Sequence, residues 1–434
     1  MQADDLPLFL ANQLAAVPGR LVLGFSGGLD SSVLLEALCR AGLGSRLLAV
    51  HVHHGLHADA DQWQQHCQQQ AERCAVAFAS EQVTLPAGGN LESRARSARR
   101  AALLTHVGTE DVLLLAHHRD DQAETLLLRL LRSAGARGLA AMAVWQSWRG
   151  RQICRPLLEC SRSQLEAVAA HWQLRWLDDP SNDALHFDRN FVRHQLLPVI
   201  QQRWPDAARH IAGSAALLTE QAQLLDGLAA DDLAACDGDR DSLSLPLWSQ
   251  LSPARRRNLL YGWLRQRGMR PPSIDKIARI DSELVPAAED RQPEIVWQDG
   301  ELVRYRQRLW LLEPGQRQPL TGSALWQPLD QPELQLGSLR IRLGHSEGLA
   351  LRGTDAGLLV RAASGGERIQ LHGHHRQVSE LWRCAGIPPW RRQRLPLFFI
   401  GDELVAAAAI GVADGWSAQP GEAAFHLLIE DSAL

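Results

Sequence analysis

The chain has 434 residues, of which 45 % are apolar and 22 % charged, and its formal net charge is −4. This length predicts two or three domains, and the near-neutral charge excludes a global basic field as the basis of nucleic-acid binding. The seven cysteines show no C-x-x-C spacing and no apolar run approaches the roughly 20 residues of a membrane span, so we expect a cytoplasmic protein with no membrane partner.

Residues 21–35, LVLGFSGGLDSSVLL, predict a strand, a glycine-containing turn and a helix. Glycines let the backbone approach an anion, and a helix N-terminus adds a favourable partial charge, so this arrangement is typical of phosphate binding. The Walker lysine and the G-x-G-x-x-G dinucleotide pattern are both absent. Asp30 accepts hydrogen bonds only, which near phosphates predicts an intervening Mg²⁺ ion. The residues expected to bind pyrophosphate are Ser26, Gly27, Gly28, Leu29, Asp30 and Ser31.

The same turn also matches the nucleophile elbow G-x-S-x-G, which would make Ser26 a hydrolase nucleophile. That motif needs an oxyanion amide from an earlier strand–helix loop, and little chain precedes Leu21. An ordinary turn in which Asp30 or Ser31 caps the helix is a third interpretation. We favour the phosphate loop, because the elbow leaves Asp30 and Ser31 without a role.

Strands and helices then alternate through the first half of the chain. Alternation of this kind predicts a mostly parallel, doubly wound α/β sheet, in which ligands bind beyond the carboxyl ends of the strands. Strands are predicted at 46–54, 76–85, 111–116, 153–158 and 174–177, and helices at 59–75, 91–105, 123–132 and 163–172. Polar clusters after the first, second and fourth strands should therefore meet at one edge.

The second strand ends in a histidine run that contains His51, His53, His54 and His57. A zinc site is one interpretation, but H-E-x-x-H spacing is absent and strand alternation turns His54 away from the first two. We favour a strand end that lines the nucleotide site.

Arginines dominate the helix predicted at 91–105, which carries four of them against one glutamate. Arg96 shares a helical face with Arg99 or Arg100, and like charges at that spacing repel. A solvated face is the simple interpretation, and a polyanion that offsets the repulsion is the functional one.

His118, Asp120, Asp121, Gln122 and Glu124 follow the apolar strand at 111–116, where a helix starts. The carboxylates there either cap the helix and pair with its dipole or bind a ligand, which would be Mg²⁺ or an amine. No lysine of this half competes for them, because Lys276 is the only lysine of the chain. Further on, Arg189 and Arg193 share a helical face that is placed to close over phosphate.

The pattern changes from residue 207, which sets the expected domains. A catalytic domain at 1–206 is followed by a mainly helical domain at 207–315, with one long helix at 207–235 and short strands around an Asp299-Gly300 turn. Residues 316–335 are rich in proline and glutamine and predict a linker, and residues 336–434 predict a small α+β domain.

Three segments of the second half, 255–257, 304–308 and 390–394, combine arginine with nearby tryptophan or tyrosine. Stacking aromatic rings with arginine suit single-stranded or loop RNA. A solvated charged face is the competing interpretation for each segment.

Several stretches together carry a family resemblance over most of the chain. They are SGGLDS, HVHHGL, NLESRARSARR, AHHRDDQAETLLLRLLR, RPLLECSRSQLE, DDPSNDALHFDRNFVR, VRAASGGERIQL and GIPPWRRQRLPL. With these stretches the chain resembles the bacterial tRNA(Ile)-lysidine synthetases of the ATP-pyrophosphatase (N-type, PP-loop) superfamily. The DDQ-E-T, SN–RN and IPPW stretches are more specific than the phosphate loop, which several ligases and thiolases share.

The resemblance implies an enzyme that uses ATP to adenylate the C2 oxygen of the wobble cytidine in CAU-anticodon isoleucine tRNA. Pyrophosphate leaves in that step. The ε-amine of free L-lysine then displaces AMP, and the cytidine becomes lysidine. The expected partners are this tRNA and lysine, and a homodimer is left open.

We assign hypothetical roles to the matching residues. Asp30 positions Mg²⁺, and Asp121, with Asp120 and His118, handles the lysine. Arg96 contacts the nucleotide or the adenylated base. Arg189 or Arg193 stabilises the phosphate side, and Arg99 is a further substrate candidate.

Two departures from the family pattern are visible. Arg99-Arg100 stands where the family commonly has Arg-Tyr, and residues 372–376, HGHHR, stand where its C-terminal domain is usually richer in lysine. The alternative function is another PP-loop tRNA-modifying ATPase such as a thiolase. Thiolases with an iron–sulfur cluster need C-x-x-C cysteines, which this chain lacks.

Overall fold

The structure, a computed structural model, describes residues 2–53, 59–83, 91–148, 150–179, 183–287, 291, 293–344, 349–418 and 424–431, and the side chains of 91–93 are not among what it describes. His54 and His57 of the histidine run therefore lie outside the described residues. Clustering of contacts divides the chain into two compact units, residues 1–224 and 225–434.

The first unit alternates strands and helices as the sequence predicts. Its strands are β1 (Leu21–Gly24), β2 (Leu47–His53), β3 (Ala77–Gln82), β4 (Val112–Leu114), β5 (Trp145–Trp148) and β6 (Arg151–Cys154). Its helices are α1 (Asp5–Leu14), α2 (Leu29–Arg40), α3 (Ala60–Arg73), α4 (Leu91–Thr105), α5 (Arg119–Leu130), α6 (Ala136–Leu139), α7 (Arg162–His171), α8 (Asp188–Phe191) and α9 (Leu197–Arg203). A 3-10 turn lies at Gly44–Arg46, and a π-helical turn at Val192–Leu196 joins α8 to α9.

The strand order of the main sheet is β3-β2-β1-β4-β6-β5. The first five strands run parallel, and only the edge strand β5 is antiparallel to its neighbour. Leu21 and Leu23 pack into one core and Val22 into another, because helices cover both faces of the sheet. This confirms the predicted doubly wound α/β fold. The strand order turns back at β1, so a crevice is expected beyond the carboxyl ends of β1 and β4.

One predicted strand does not form. Residues 174–177 join none of the sheets that the described residues form, and the far side of β6 is already paired with β5. Instead, the Leu177 amide donates to the Gly27 carbonyl at 2.9 Å, so this segment lies against the predicted phosphate loop.

Helix α10 (Ala207–Ala235) coincides with the predicted long helix, and the second unit continues from it. The helices that follow are α11 (Leu245–Gln250), α12 (Pro253–Gln266), α13 (Ile274–Arg279), α14 (Val378–Cys384) and α15 (Pro389–Arg392), with a π-helical turn at Ile280–Leu284. Lys276 lies on α13, and its ammonium donates to the Val296 carbonyl at 2.7 Å.

Four sheets build the rest of the second unit. Their orders are β7-β10-β9-β8, β11-β15-β18-β19-β20, β12-β13-β21-β14 and β16-β17. The strands are β7 (Ser242–Ser244), β8 (Glu294–Trp297), β9 (Gly300–Tyr305), β10 (Arg308–Leu312), β11 (Ser323–Trp326), β12 (Glu333–Leu336), β13 (Leu339–Gly344), β14 (Leu349–Arg352), β15 (Leu358–Ala362), β16 (Arg368–Leu371), β17 (His374–Gln377), β18 (Pro396–Ile400), β19 (Glu403–Ala407), β20 (Gly411–Val412) and β21 (Ala424–Asp431).

The range 316–335, predicted as a linker, differs from that expectation. It contains β11 and most of β12, which pair with β15 and β13. Trp326 is 0 % exposed, and Leu334 is buried in the same core. Although the segment is rich in proline and glutamine, its few apolar residues, such as Trp326 and Leu334, are enough to anchor it in the C-terminal core. Across the described residues, every helix is too short or too polar to cross a membrane.

Candidate active site

The turn between β1 and α2 forms the loop predicted to hold phosphate. The Ser26 and Ser31 hydroxyls are 3.1 Å apart, and the Ser31 hydroxyl donates to the Gly28 carbonyl at 3.0 Å. Gly28 is the N-cap of α2 in an extended conformation, so the first amides of the helix remain available to an anion. Leu29 is buried beneath the turn. The loop can therefore surround an anion with amides and hydroxyls.

Gly27 is required by its backbone and by its neighbours. Its φ is +78°, where side chains other than glycine are strained. A Cβ atom there would lie 2.8 Å from the Cys67 sulfur and 3.1 Å from a Leu177 methyl. The loop is thus packed from behind by α3 and by the segment that carries Leu177.

His51 lies behind the same loop. Its Nδ1 is 3.0 Å from the Phe25 carbonyl and 3.4 Å from the Cys67 sulfur. Because a carbonyl only accepts, Nδ1 carries the proton, and burial lowers the pKa of the ring so that it stays neutral. His53 instead pairs with Asp61 at 3.1 Å. Within the described residues, no group of three or more histidine, cysteine, aspartate or glutamate side chains is arranged to hold a metal.

Asp30 lies in the first turn of α2 and is bound by a residue that sequence reasoning missed. Both of its carboxylate oxygens are 3.0 Å from Nη1 of Arg162, the first residue of α7. His118 Nε2 is 3.8 Å away. Burial raises the pKa of Asp30, while His118 and Arg162 oppose that rise.

The start of α5 holds the second set of predicted residues. Asp121 closes the helix N-terminus, because its Oδ2 accepts the His118 amide at 2.9 Å. Asp120 accepts the backbone amide of Arg162 at 2.8 Å and so connects α5 to α7. The His118 ring lies 3.5 Å from Asp120 and 3.6 Å from Asp121. Burial alone would lower the pKa of His118, but Asp121, Asp120 and Asp30 raise it.

Asp121, Glu124, Arg189 and Arg193 form what we call the charged cluster. Asp121 Oδ1 accepts from Arg189 at 2.8 Å and from Arg193 at 2.9 Å. Glu124, only 1 % exposed, accepts from Arg189 Nε at 2.7 Å and from Arg193 Nε at 2.6 Å. Burial would raise the pKa of Asp121, but His118 and Arg189 hold it well below its usual range. In this structure the two arginines therefore contact carboxylates, whereas the sequence suggested phosphate.

Two arginines of α4, Arg96 and Arg99, act through their charge on histidines at the ends of the central strands. The charge of Arg96 adds to the burial that lowers the pKa of His117 to about 3. The charge of Arg99 contributes to the lowered pKa of His51, and burial lowers the pKa of Arg99 itself against the effect of Asp179. The structure thus brings together Asp30, His118, Asp120, Asp121, Arg189 and Arg193, and the charges of Arg96 and Arg99 act on His117 and His51.

Glu124 belongs to the predicted carboxylate group after the strand at 111–116 but was given no role of its own, and Arg162 was missed. Glu124 lies one helical turn after Asp120 and Asp121 and so shares their face. Arg162 follows Ser161, which caps α7 by accepting the Gln164 amide at 3.1 Å, so a helix start was recognisable. Its pairing with a residue 132 positions away was not.

Most of the basic segments of the second unit bind within the protein. Arg255 pairs with Asp232, Arg304 donates to the Val285 carbonyl at 2.7 Å, and Arg391 donates to Asp241 at 2.9 Å. Arg304 is 7 % exposed and serves the fold, whereas the Arg255 and Arg391 side chains remain 48 % and 31 % exposed, so RNA binding by these segments stays a prediction.

The donor set distinguishes between metals. Zinc sites use three or four protein ligands, and the described residues supply no such group. Mg²⁺ is commonly held by one or two carboxylates with waters and substrate phosphates. Asp30, at the N-terminal turn of α2 beside the loop, supplies one such carboxylate, so the residues fit Mg²⁺ bound jointly with a nucleotide.

Comparisons with known proteins give matches along most of the chain. Residues 7–200 match the model of the PP-loop domain, residues 243–310 that of the TilS substrate binding domain, and residues 358–429 that of the TilS substrate C-terminal domain. The chain is 41 % identical over 436 residues to the tRNA(Ile)-lysidine synthase of Alkalilimnicola ehrlichii, covering 98 % of this chain and 97 % of that protein. It is also 41 % identical over 415 residues to the enzyme of the same name from Pectobacterium atrosepticum, covering 93 % of each.

Proposed function

The chain belongs to the tRNA(Ile)-lysidine synthase family, and we propose that it joins free L-lysine to C2 of the wobble cytidine in CAU-anticodon isoleucine tRNA, with conversion of ATP to AMP and pyrophosphate. The observation that carries this proposal is the meeting of a phosphate loop and a carboxylate cluster at one edge of the sheet. The loop suits the adenylation half of the reaction, and the cluster suits the arrival of an amine.

The phosphate loop binds the triphosphate of ATP. The amides that begin α2 and the hydroxyls of Ser26 and Ser31 donate to its oxygens. These donors are fixed before ATP arrives, because the Gly27 carbonyl accepts the Leu177 amide at 2.9 Å and the Ser31 hydroxyl donates to the Gly28 carbonyl at 3.0 Å. Fixed donors stabilise the charge that develops on departing pyrophosphate without reorganising.

Mg²⁺ is the proposed cofactor, held by Asp30 together with phosphate oxygens and water. When bound, it neutralises charge on the leaving pyrophosphate. Asp30 is suited to this role because its carboxylate lies beside the loop, and the positive charges of His118 and Arg162 oppose the rise in its pKa that burial causes.

Asp121 and Glu124 are the proposed binding partners of the substrate ammonium. A primary ammonium donates three hydrogen bonds, and Asp121 Oδ1 already accepts from two guanidinium groups. The low pKa of Asp121 makes it a binder of the cation and a poor base. His118, 3.6 Å from Asp121, has a raised pKa, so it holds its proton and adds a positive charge beside the carboxylates.

The remaining predicted residues complete the substrate side. Arg189 and Arg193 can turn from the carboxylates to the α-phosphate when the ammonium takes their place, and Arg96 and Arg99 on α4 face the nucleotide or the adenylated base. Asp120 positions α7 through its bond to the Arg162 amide. We further propose a cytoplasmic location.

Incorporation of radiolabelled lysine into bulk tRNA, with and without ATP, tests the proposal directly. We expect ATP-dependent label in the isoleucine tRNA that carries a CAU anticodon, and AMP formed in equal amount. Incorporation of sulfur instead of lysine would indicate a thiolase. Ester hydrolysis that needs Ser26 but no ATP would indicate the nucleophile elbow.

A further inference from the structure

Arg162 is the cation that touches the proposed metal-binding carboxylate. Its Nη1 is 3.0 Å from each oxygen of Asp30. The Arg162 side chain is 41 % exposed and that of Asp30 is 26 % exposed. A partly exposed ion pair of this kind is weak and can open when a stronger ligand arrives.

The backbone of Arg162 is fixed even though its side chain is accessible. Asp120 accepts its amide at 2.8 Å, and Ser161 and Gln164 bond each other at the start of α7. Arg162 Nε also donates to Glu166 at 3.0 Å, one turn along the same helix. If Asp30 is taken by another cation, Glu166 still holds the guanidinium group beside the phosphate loop.

A carboxylate offers about four lone-pair sites, and Nη1 of Arg162 lies on one side of both Asp30 oxygens. A Mg²⁺ ion that binds these oxygens from the same side, at about 2.0–2.1 Å, competes with the guanidinium. When Mg²⁺ binds Asp30, the Arg162 guanidinium loses its carboxylate partner. The phosphates of ATP then offer it several anionic oxygens at the same place. Arginine is well suited to bind phosphate oxygens in pairs.

We propose that Arg162 is a phosphate-binding residue of the ATP site that occupies the Asp30 carboxylate in the nucleotide-free enzyme. Asp30 turns to the divalent cation when ATP enters, and Arg162, still tethered to Glu166, donates to the phosphates. In the nucleotide-free enzyme Arg162 thus neutralises the Asp30 carboxylate. In the ATP-bound enzyme it adds a positive charge beside the phosphates. This inference rests on the proposed binding of ATP by the loop.

Equilibrium binding of ATP to the full chain, measured by calorimetry across a Mg²⁺ titration, tests the inference without turnover. We expect Arg162→Gln to weaken ATP binding about tenfold at saturating Mg²⁺, since one charge-assisted hydrogen-bond partner is lost. The Mg²⁺ concentration for half-maximal ATP binding should fall by about threefold, because the competing cation at Asp30 is gone. Arg162→Lys should keep part of the ATP affinity.

Arg40→Gln is the matched control, because it removes an arginine–glutamate pair of 2.8 Å at the other end of α2. It should change neither quantity. Unchanged ATP affinity in Arg162→Gln, or a rise in its Mg²⁺ requirement, would overturn the inference. A wild-type chain that binds no ATP would overturn the proposed function itself. Where Arg162→Gln does not fold, Arg162→Lys is compared in the wild-type chain and in Asp30→Asn. The lysine should change the Mg²⁺ dependence of ATP binding in the wild-type chain and not in Asp30→Asn. Equal changes in both backgrounds would contradict the competition between Arg162 and Mg²⁺ for Asp30.

Discussion

Two arginine clusters, one in each unit, look alike in sequence but have different surroundings. In the charged cluster of the first unit, Arg193 is a third exposed and meets carboxylates beside a ligand crevice. In the second unit, the Arg394 and Asp431 side chains are each 6 % exposed and bond each other at 2.7 and 2.8 Å. Arg394 also donates to the Gln318 carbonyl at 2.6 Å, which leaves little of its guanidinium for a ligand.

The difference teaches that an arginine indicates binding only when its partner can be exchanged. Asp121 lies at the carboxyl end of a parallel sheet, where substrates enter, so its guanidinium partners can be displaced by a substrate cation. Asp431 ends strand β21 and its side chain is 6 % exposed. Its arginine partner cannot leave without stranding a buried, unpaired charge. The first cluster is therefore expected to affect catalysis and the second to affect stability.

Asp121→Asn should produce the largest effect. Loss of the carboxylate charge removes the proposed ammonium site, and we expect lysidine formation at limiting lysine to fall by about 10²- to 10³-fold. ATP binding should change far less, since the phosphate loop remains. Asp206→Asn, which removes an exposed pair with Arg209, is the control. Undiminished lysidine formation would remove Asp121 from the lysine site.

Arg394→Ala should destabilise the second unit without altering ATP binding. It leaves the Asp431 carboxylate buried and uncompensated, so the free energy of unfolding should fall by about 3–5 kcal/mol in denaturant titration. Arg340→Ala removes the exposed pair with Glu333 and should leave that free energy unchanged. Equal stability of the two variants would contradict the contrast drawn between buried and exposed pairs.

Gly27→Ala should have a smaller, mixed effect on the phosphate loop. The positive φ costs about 1–2 kcal/mol, and the added methyl meets the Cys67 sulfur at 2.8 Å. Thermal unfolding and ATP affinity should both decline. The double variant with Cys67→Ala should regain only the steric part. Full recovery in the double variant would show that the backbone conformation costs nothing.

His118→Asn should change how stability depends on pH. The folded chain holds the His118 proton above the ordinary pKa of 6.5 because of the carboxylates of Asp30, Asp120 and Asp121. Its stabilising contribution is therefore complete below that value and is lost as pH rises through the folded pKa. Wild type should lose free energy of unfolding in this window, and the variant should lose less. Parallel curves for the two would rule out a raised pKa at His118.

Local patterns were sufficient for most of the first unit. Helices α4 and α10 have the predicted bounds because their apolar spacing is regular. The alternation of strands and helices also placed the phosphate loop and the start of α5 at one edge, by the rule that parallel strands end together. The strand predicted at 174–177 failed because an apolar run does not reveal that β5 already occupies the edge.

Pairings between distant residues were beyond sequence reasoning. The contact of Arg162 with Asp30 depends on how α7 meets α2, and no local pattern encodes that. Arg189 and Arg193 were correctly placed on one helical face, but their carboxylate partners follow from the position of α5 beside α8. In the range 316–335 the local composition was misleading. It predicted a linker, whereas a few buried apolar residues are enough to place the segment in a sheet.

Lys276, bonded to the Val296 carbonyl, carries the one side-chain amine of the chain. The unit proposed to receive free lysine therefore contains no lysine of its own. Acetylation, carbamylation and amine-directed crosslinking have no side-chain target in residues 1–224. If an amine-reactive group is attached to the tRNA or nucleotide, the ε-amine of bound lysine is the amine it can label in that unit, because no lysine side chain of residues 1–224 competes for it.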